Sequence, residues 1–179
     1  HVVVGTNGLA RTDPDRFAFL IVNTALGGGM SSRLFQEIRE NRGLAYTAYS
    51  YHSQYAETGL FSAYAGTSPG KARTVVGLMR QQIEAIRDGG LTPEEFERAK
   101  SHVKGSTVLA LEDPGGRMSR LGKSEIAHGE ILTVDETLRR VERVTLDDAR
   151  HVAKRVLSQP MTLTVLGPVA PSSFEGSLA

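Results

Sequence analysis

The sequence predicts an α+β domain, an antiparallel sheet with helices packed on one face, and three observations carry that expectation. Its segments follow the order strand, helices, hairpin, long helices, strand, so strands do not alternate singly with crossover helices as they would in a doubly wound parallel sheet. Leu44 to Tyr51 and Leu60 to Ala65 are rich in tyrosine, phenylalanine and small residues, lack proline, and flank a polar loop with Gly59, the pattern of an antiparallel hairpin. The 179 residues, 40% of them hydrophobic, suffice for one core. Residues 1–168 read as that domain and 169–179 as a small polar tail.

The elements follow in order. Val2 to Val4 with Gly5 reads as a short strand and turn, and Asp13-Pro14 as a helix cap and preset first residue. Phe17, Leu20, Ile21, Ala25 and Leu26 keep helical spacing, with Phe19 and Val22 widening the apolar face, until Gly27-Gly28-Gly29 ends the helix. A short helix over about Ser32 to Arg39 stops where Gly43 can take the left-handed conformation. After the hairpin, Ser68-Pro69 reads as the cap and first residue of a long helix with Ala72, Val75, Val76, Met79, Ile83 and Ile86 on one stripe, closed by Asp88-Gly89-Gly90. Thr92-Pro93-Glu94-Glu95 has the capping-box form and opens a helix to about Glu112, where Asp113-Pro114-Gly115-Gly116 breaks the chain. Thr133 with Glu136 and Thr145 with Asp148 signal two shorter helices. Alternation of Met161, Leu163 and Val165 with Thr162 and Thr164 marks a last, half-buried strand.

Composition removes several function classes. Twenty-one Lys plus Arg against 20 Asp plus Glu give a net charge of +1, no broad positive field to gather nucleic acid or anionic lipid. Neither nucleic acid nor membrane is expected as a partner. Without cysteine there is no disulfide, thiolate metal site or cysteine nucleophile. The longest apolar stretch, Phe17 to Leu26, is far short of the roughly 20 residues a bilayer span takes. The opening at His1 reads as a piece of a longer protein, and the lack of a targeting segment makes the cytoplasm the expected compartment.

Four motifs invite chemistry. His1, His52, His102, His128 and His151 show neither the H-E-x-x-H nor the H-x-x-E-H arrangement, so no metal site is expected in this chain. The glycine clusters at Gly5 to Gly8 and Gly27 to Ser32 lack the lysine and hydroxyl residue that follow the last glycine of a phosphate loop, Gly29 being followed by Met30, and the triple glycine ends a helix rather than opening one. Gly66-Thr67-Ser68-Pro69-Gly70 matches G-x-S-x-G between a strand and a helix. In that elbow the residue after the serine donates its N–H to the oxyanion, a donor worth about 3 kcal/mol, and Pro69 has none. A serine hydrolase is thus a distant alternative. In Arg39 to Tyr46, RENRGLAY, an arginine at a helix end and a tyrosine early in the next strand can converge across the Gly43 turn. Guanidinium and phenol together suit a carbonyl oxygen or the oxyanion that develops from it. A surface arginine beside a core tyrosine is the other reading of these residues.

The stretch NTALGGGMSSRLFQEIRENRGLAYTAYSY resembles the start of the second half of pitrilysin-type (inverzincin) zinc metallopeptidases, especially the branch of mitochondrial processing peptidase and its bacterial relatives. The resemblance continues through TPEEFERAK, LALEDPGGRMSRLGKSEIAHGE and VTLDDARHVAKRVL, and so covers about Asp13 to Pro168. In that family two similar halves close like a clamshell on an extended peptide, the first half holding zinc and a glutamate base. The second half lends an arginine and a tyrosine seven residues apart. The resemblance therefore implies that Arg39 and Tyr46 bind the substrate carbonyl in a zinc endopeptidase. Zinc, general base and the remaining partner surface would come from an N-terminal half or a partner subunit, and this chain alone would be inactive. Gly27 to Gly29 would supply local freedom for closure. Since the family includes halves that have lost catalysis, a noncatalytic peptide-binding or scaffold homologue is the alternative.

Overall fold

A computed structural model describes residues 1–129 and 131–178; Glu130 and Ala179, and the side chains of Ala127 and His128, lie outside the described residues. Four strands, β1 (Val2–Gly8), β2 (Ala45–Gln54), β3 (Gly59–Thr67) and β4 (Thr162–Val165), form one antiparallel sheet in the order β2-β3-β1-β4. Among the described residues six α-helices accompany them: α1 (Arg16–Gly27), α2 (Ala72–Gly89), α3 (Pro93–Leu109), α4 (Pro114–His128), α5 (Val134–Arg143) and α6 (Leu146–Leu157). The α+β expectation therefore holds. No helix among the described residues is long and apolar enough to cross a membrane.

Period-two alternation sorts the sheet into a covered and an open face. Val2, Val4, Ala48, Phe61, Ala63 and Ala65 are buried together with Phe19, Ile21 and Leu26 of α1, Met79 and Ile83 of α2, and Val152 and Val156 of α6. Small alanines on β2 and β3 let the helices come close. On the opposite face the paired residues Tyr49 and Tyr64 pack with their rings tilted by 40° and centroids 5.0 Å apart, and the Tyr51 ring lies 6.0 Å from that of Tyr49. Among the described residues, no ring from a helix joins that aromatic group.

Caps decide where the helices start. Thr92 and Thr145 form the reciprocal boxes expected with Glu95 and Asp148, and the Thr133 hydroxyl accepts from the Glu136 amide. Glu95 also receives Arg33 through two hydrogen bonds of 2.7 and 2.6 Å, joining the segment after α1 to the start of α3. Burial pushes the Glu95 carboxyl up, but its bonds from Arg33 and the Thr92 amide, with the charges of Arg33 and Arg98, outweigh burial and hold it below the ordinary glutamate value. A carboxyl depressed in the folded state stabilises above its unfolded pKa and loses that contribution as pH falls through its folded pKa. Glu95→Gln is expected to cost about 2 kcal/mol at neutral pH. In denaturant unfolding repeated across pH, its gap from wild type should close in acid; a gap that persists there contradicts the assignment.

Several boundaries differ from the sequence reading. β1 continues through Gly5 to Gly8, because Gly5 is a paired strand residue whose missing Cβ makes room for Ser62 of β3. Asp13-Pro14 does not start α1: the helix begins at Arg16, and Asp13 instead accepts from the Asp15 amide and from Arg155. α3 ends at Leu109 instead of about Glu112. The segment after Asp113 is not a break but α4, with Asp113 accepting from the Gly116 amide and Pro114 in the first turn. Ser68 has the extended backbone of a cap, yet its hydroxyl bonds nothing in the first turn, so a 3-10 turn over Pro69–Lys71 precedes α2. Near the end of the chain, Arg73 and Arg80 of α2 donate to the Ser173 and Ser177 carbonyls, and Phe174 and Leu178 pack against the core.

Candidate functional site

Arg39 stands in a π-helical turn, Phe35–Glu40, in which the Asn41 amide donates to the Gln36 carbonyl five residues back. Such widened turns concentrate at functional sites. Gly43, at φ +56°, then reverses the chain: its amide donates to the Arg39 carbonyl and the Leu44 amide to that of Ile38. Two side chains from the far end of the hairpin hold the reversal. Thr67 Oγ1 donates to the Leu44 carbonyl at 2.6 Å, and Lys71 Nζ to the Gly43 carbonyl at 3.2 Å.

The strand that follows starts with an irregularity. Ala45 pairs with Thr67 and Thr47 with Gly66, leaving Tyr46 as the extra residue of a bulge. A bulge re-aims the side chain it carries. Tyr46 is accordingly 85% exposed, which rules out the core-tyrosine reading, and its ring centroid lies 5.5 Å from Arg39 Cζ. The two residues singled out by spacing are thus brought together on the surface.

The remaining sequence candidates do not assemble. Among the described residues no three metal-ligating side chains cluster. His1 bonds the Tyr64 hydroxyl, while His52 is a half-buried imidazole beside Phe19 whose pKa burial pushes below its ordinary value. The Ser68 hydroxyl has no hydrogen-bond partner among the described residues, so nothing serves as its base, and Pro69 lacks the amide an oxyanion would need. Gly27 to Gly29 end α1 as expected, but Gly27 provides no freedom: it is buried where α1 touches the Ser50 backbone of β2. Sequence reasoning missed Phe35, whose ring lies 4.6 Å from Arg39 Cζ. The available signal was the four-residue spacing on one helical turn.

The fold and this exposed arginine–tyrosine pair define an α+β domain that presents donors at the edge of its sheet. Residues 1–103 match the family model described as the peptidase M16 inactive domain, and the chain belongs to that family. It is 52% identical over 169 residues to an uncharacterized zinc protease of Streptomyces coelicolor, covering 94% of this chain and 37% of the relative. With the uncharacterized zinc protease YmxG of Bacillus subtilis it shares 34% identity, over 94% of this chain and 41% of the relative. The chain spans about two fifths of the length of the curated relatives it matches. Among solved structures, the peptidase M16 inactive domain from Pseudomonas fluorescens superposes with a TM-score of 0.81 at 23% identity, covering 90% of this chain and 39% of that one. A protease from Helicobacter pylori gives 0.80 at 20%, covering 95% and 41%. These two likenesses show the fold.

Proposed function

We propose that this chain is the substrate-closing half of a zinc endopeptidase that hydrolyses extended peptides. The observation that carries the reading is the Arg39–Tyr46 pair, an exposed guanidinium and phenol 5.5 Å apart on a turn pinned by Thr67 and Lys71. Tyr46 donates one O–H and Arg39 a planar fork of N–H groups, and both are directed at the peptide carbonyl near the scissile bond and the negative charge that develops on it. A donor set of scattered histidines does not suit zinc, so metal and general base belong to the rest of the polypeptide or to a partner subunit. Because Arg39 and Tyr46 reach the substrate only on closure, closure completes the site.

Metal analysis and peptide cleavage by the full-length protein and by this chain alone test the proposal. The full-length protein should hold one zinc per chain and lose cleavage on chelation; the 179 residues alone should retain no stoichiometric zinc after dialysis and cleave nothing. Tightly held zinc on the isolated chain would overturn the division of labour. A full-length protein that binds peptide without cleaving it would make the chain part of a noncatalytic homologue.

A further inference from the structure

We propose that Phe35 is a positioning residue for Arg39, holding the flat of the guanidinium so that its N–H edge stays directed at substrate. The proposal rests on the reading that Arg39 contacts substrate.

Two arginines of this protein show how a carboxylate orients the side chain. Arg33 makes two hydrogen bonds to Glu95, and Arg155 donates to both oxygens of Asp13. Each commits donors of its planar fork to protein partners, Arg33 also bonding the Gly90 carbonyl and Arg155 also pairing with Asp15. Arg39 differs. It donates no hydrogen bond to any described residue, and the acidic atom beside it, Glu40 Oε1, stands 3.8 Å from Nε, beyond hydrogen-bonding distance. Its defined contacts are two ring systems, Phe35 with its centroid at 4.6 Å from Cζ and Tyr46 at 5.5 Å.

A ring attracts a guanidinium through its face and leaves the in-plane N–H groups unused. A carboxylate would orient the same group by consuming them. Aromatic contact is therefore the arrangement that restrains a long, flexible side chain while keeping all its donors for a ligand. Phe35 suits this role better than Tyr46, since Tyr46 must itself engage the ligand through its hydroxyl. Phe35 is half-buried, starts the π-helical turn, and lies four residues before Arg39 on it, so the turn brings ring and cation together. It is not among the fully buried side chains of the core.

The test uses the full-length protein and a peptide substrate. Phenylalanines carrying one, two and three ring fluorines, placed at position 35, weaken the ring's attraction for a cation with little change of shape. kcat/KM should fall stepwise to a total of about three- to thirtyfold, mainly in kcat, with the melting temperature unchanged. Phe35→Leu should give a comparable loss and Phe35→Tyr should restore activity. In an Arg39→Ala background, where no cation remains, Phe35→Leu should have no further effect. A flat fluorine series, or a Phe35→Leu loss that persists in that background, would overturn the positioning role while leaving the reading of Arg39 intact. Wild-type turnover in Arg39→Ala alone would remove both.

Discussion

Replacing Tyr46 by phenylalanine in the full-length protein is expected to lower kcat by about tenfold to a thousandfold and leave the melting temperature where it was. The hydroxyl of a side chain that is 85% exposed and hydrogen-bonded to no described residue supports nothing in the fold. If it donates to charge developing on the substrate, its loss appears in the transition state. Arg39→Lys should fail similarly, because an ammonium keeps the charge but lacks the planar fork and the guanidinium's contact with the Phe35 ring. Steady-state kinetics with thermal melts of both variants decide the matter. Wild-type turnover in both would remove the pair from the mechanism, and lowered melting without a kcat change would mark them as structural.

The largest stability effect is expected from Gly27→Ala. A Cβ at this position would overlap the Ser50 backbone nitrogen and crowd its Oγ, and the Ser50 hydroxyl is meanwhile tied to the Asn23 carbonyl of α1 at 3.2 Å. Neither partner is the free end of a flexible chain, so α1 must lift from β2. A cost of about 3 kcal/mol, or roughly 10 °C in melting, follows for a domain of this size. Gly77→Ala is the control. That glycine lies on the exposed side of α2 with open space where its Cβ would go, and the same substitution should stabilise by about 1 kcal/mol. Equal and small effects at both positions would contradict the close approach of α1 to the sheet.

Features encoded within one turn of chain were legible in the sequence. The boxes at Thr92 and Thr145, the reversal at Gly43 and the hairpin around Gly59 depend on neighbours a few residues apart, and the structure contains each. What depends on packing was harder to see. Gly5 looked like a turn because only a pairing with Ser62, distant in sequence, makes a glycine useful inside a strand. The same Asp-Pro signal starts α4 at Asp113 but fails at Asp13, where the carboxylate is committed to Arg155 near the other end of the chain. At the candidate site, the spacing of Arg39 and Tyr46 across a glycine turn suggested convergence. The bulge that turns Tyr46 outward depends on the pairing of β2 with β3, and the bonds from Thr67 and Lys71 come from the far end of the hairpin and just past it, so neither was visible.

The most direct measurement is a structure of the full-length protein with a peptide bound, the glutamate proposed as general base replaced by glutamine so that the peptide survives. The account predicts the Tyr46 hydroxyl and an Arg39 N–H within about 3.2 Å of a substrate carbonyl oxygen next to the scissile bond. A peptide seated for cleavage while both side chains face bulk solvent away from it would contradict the account.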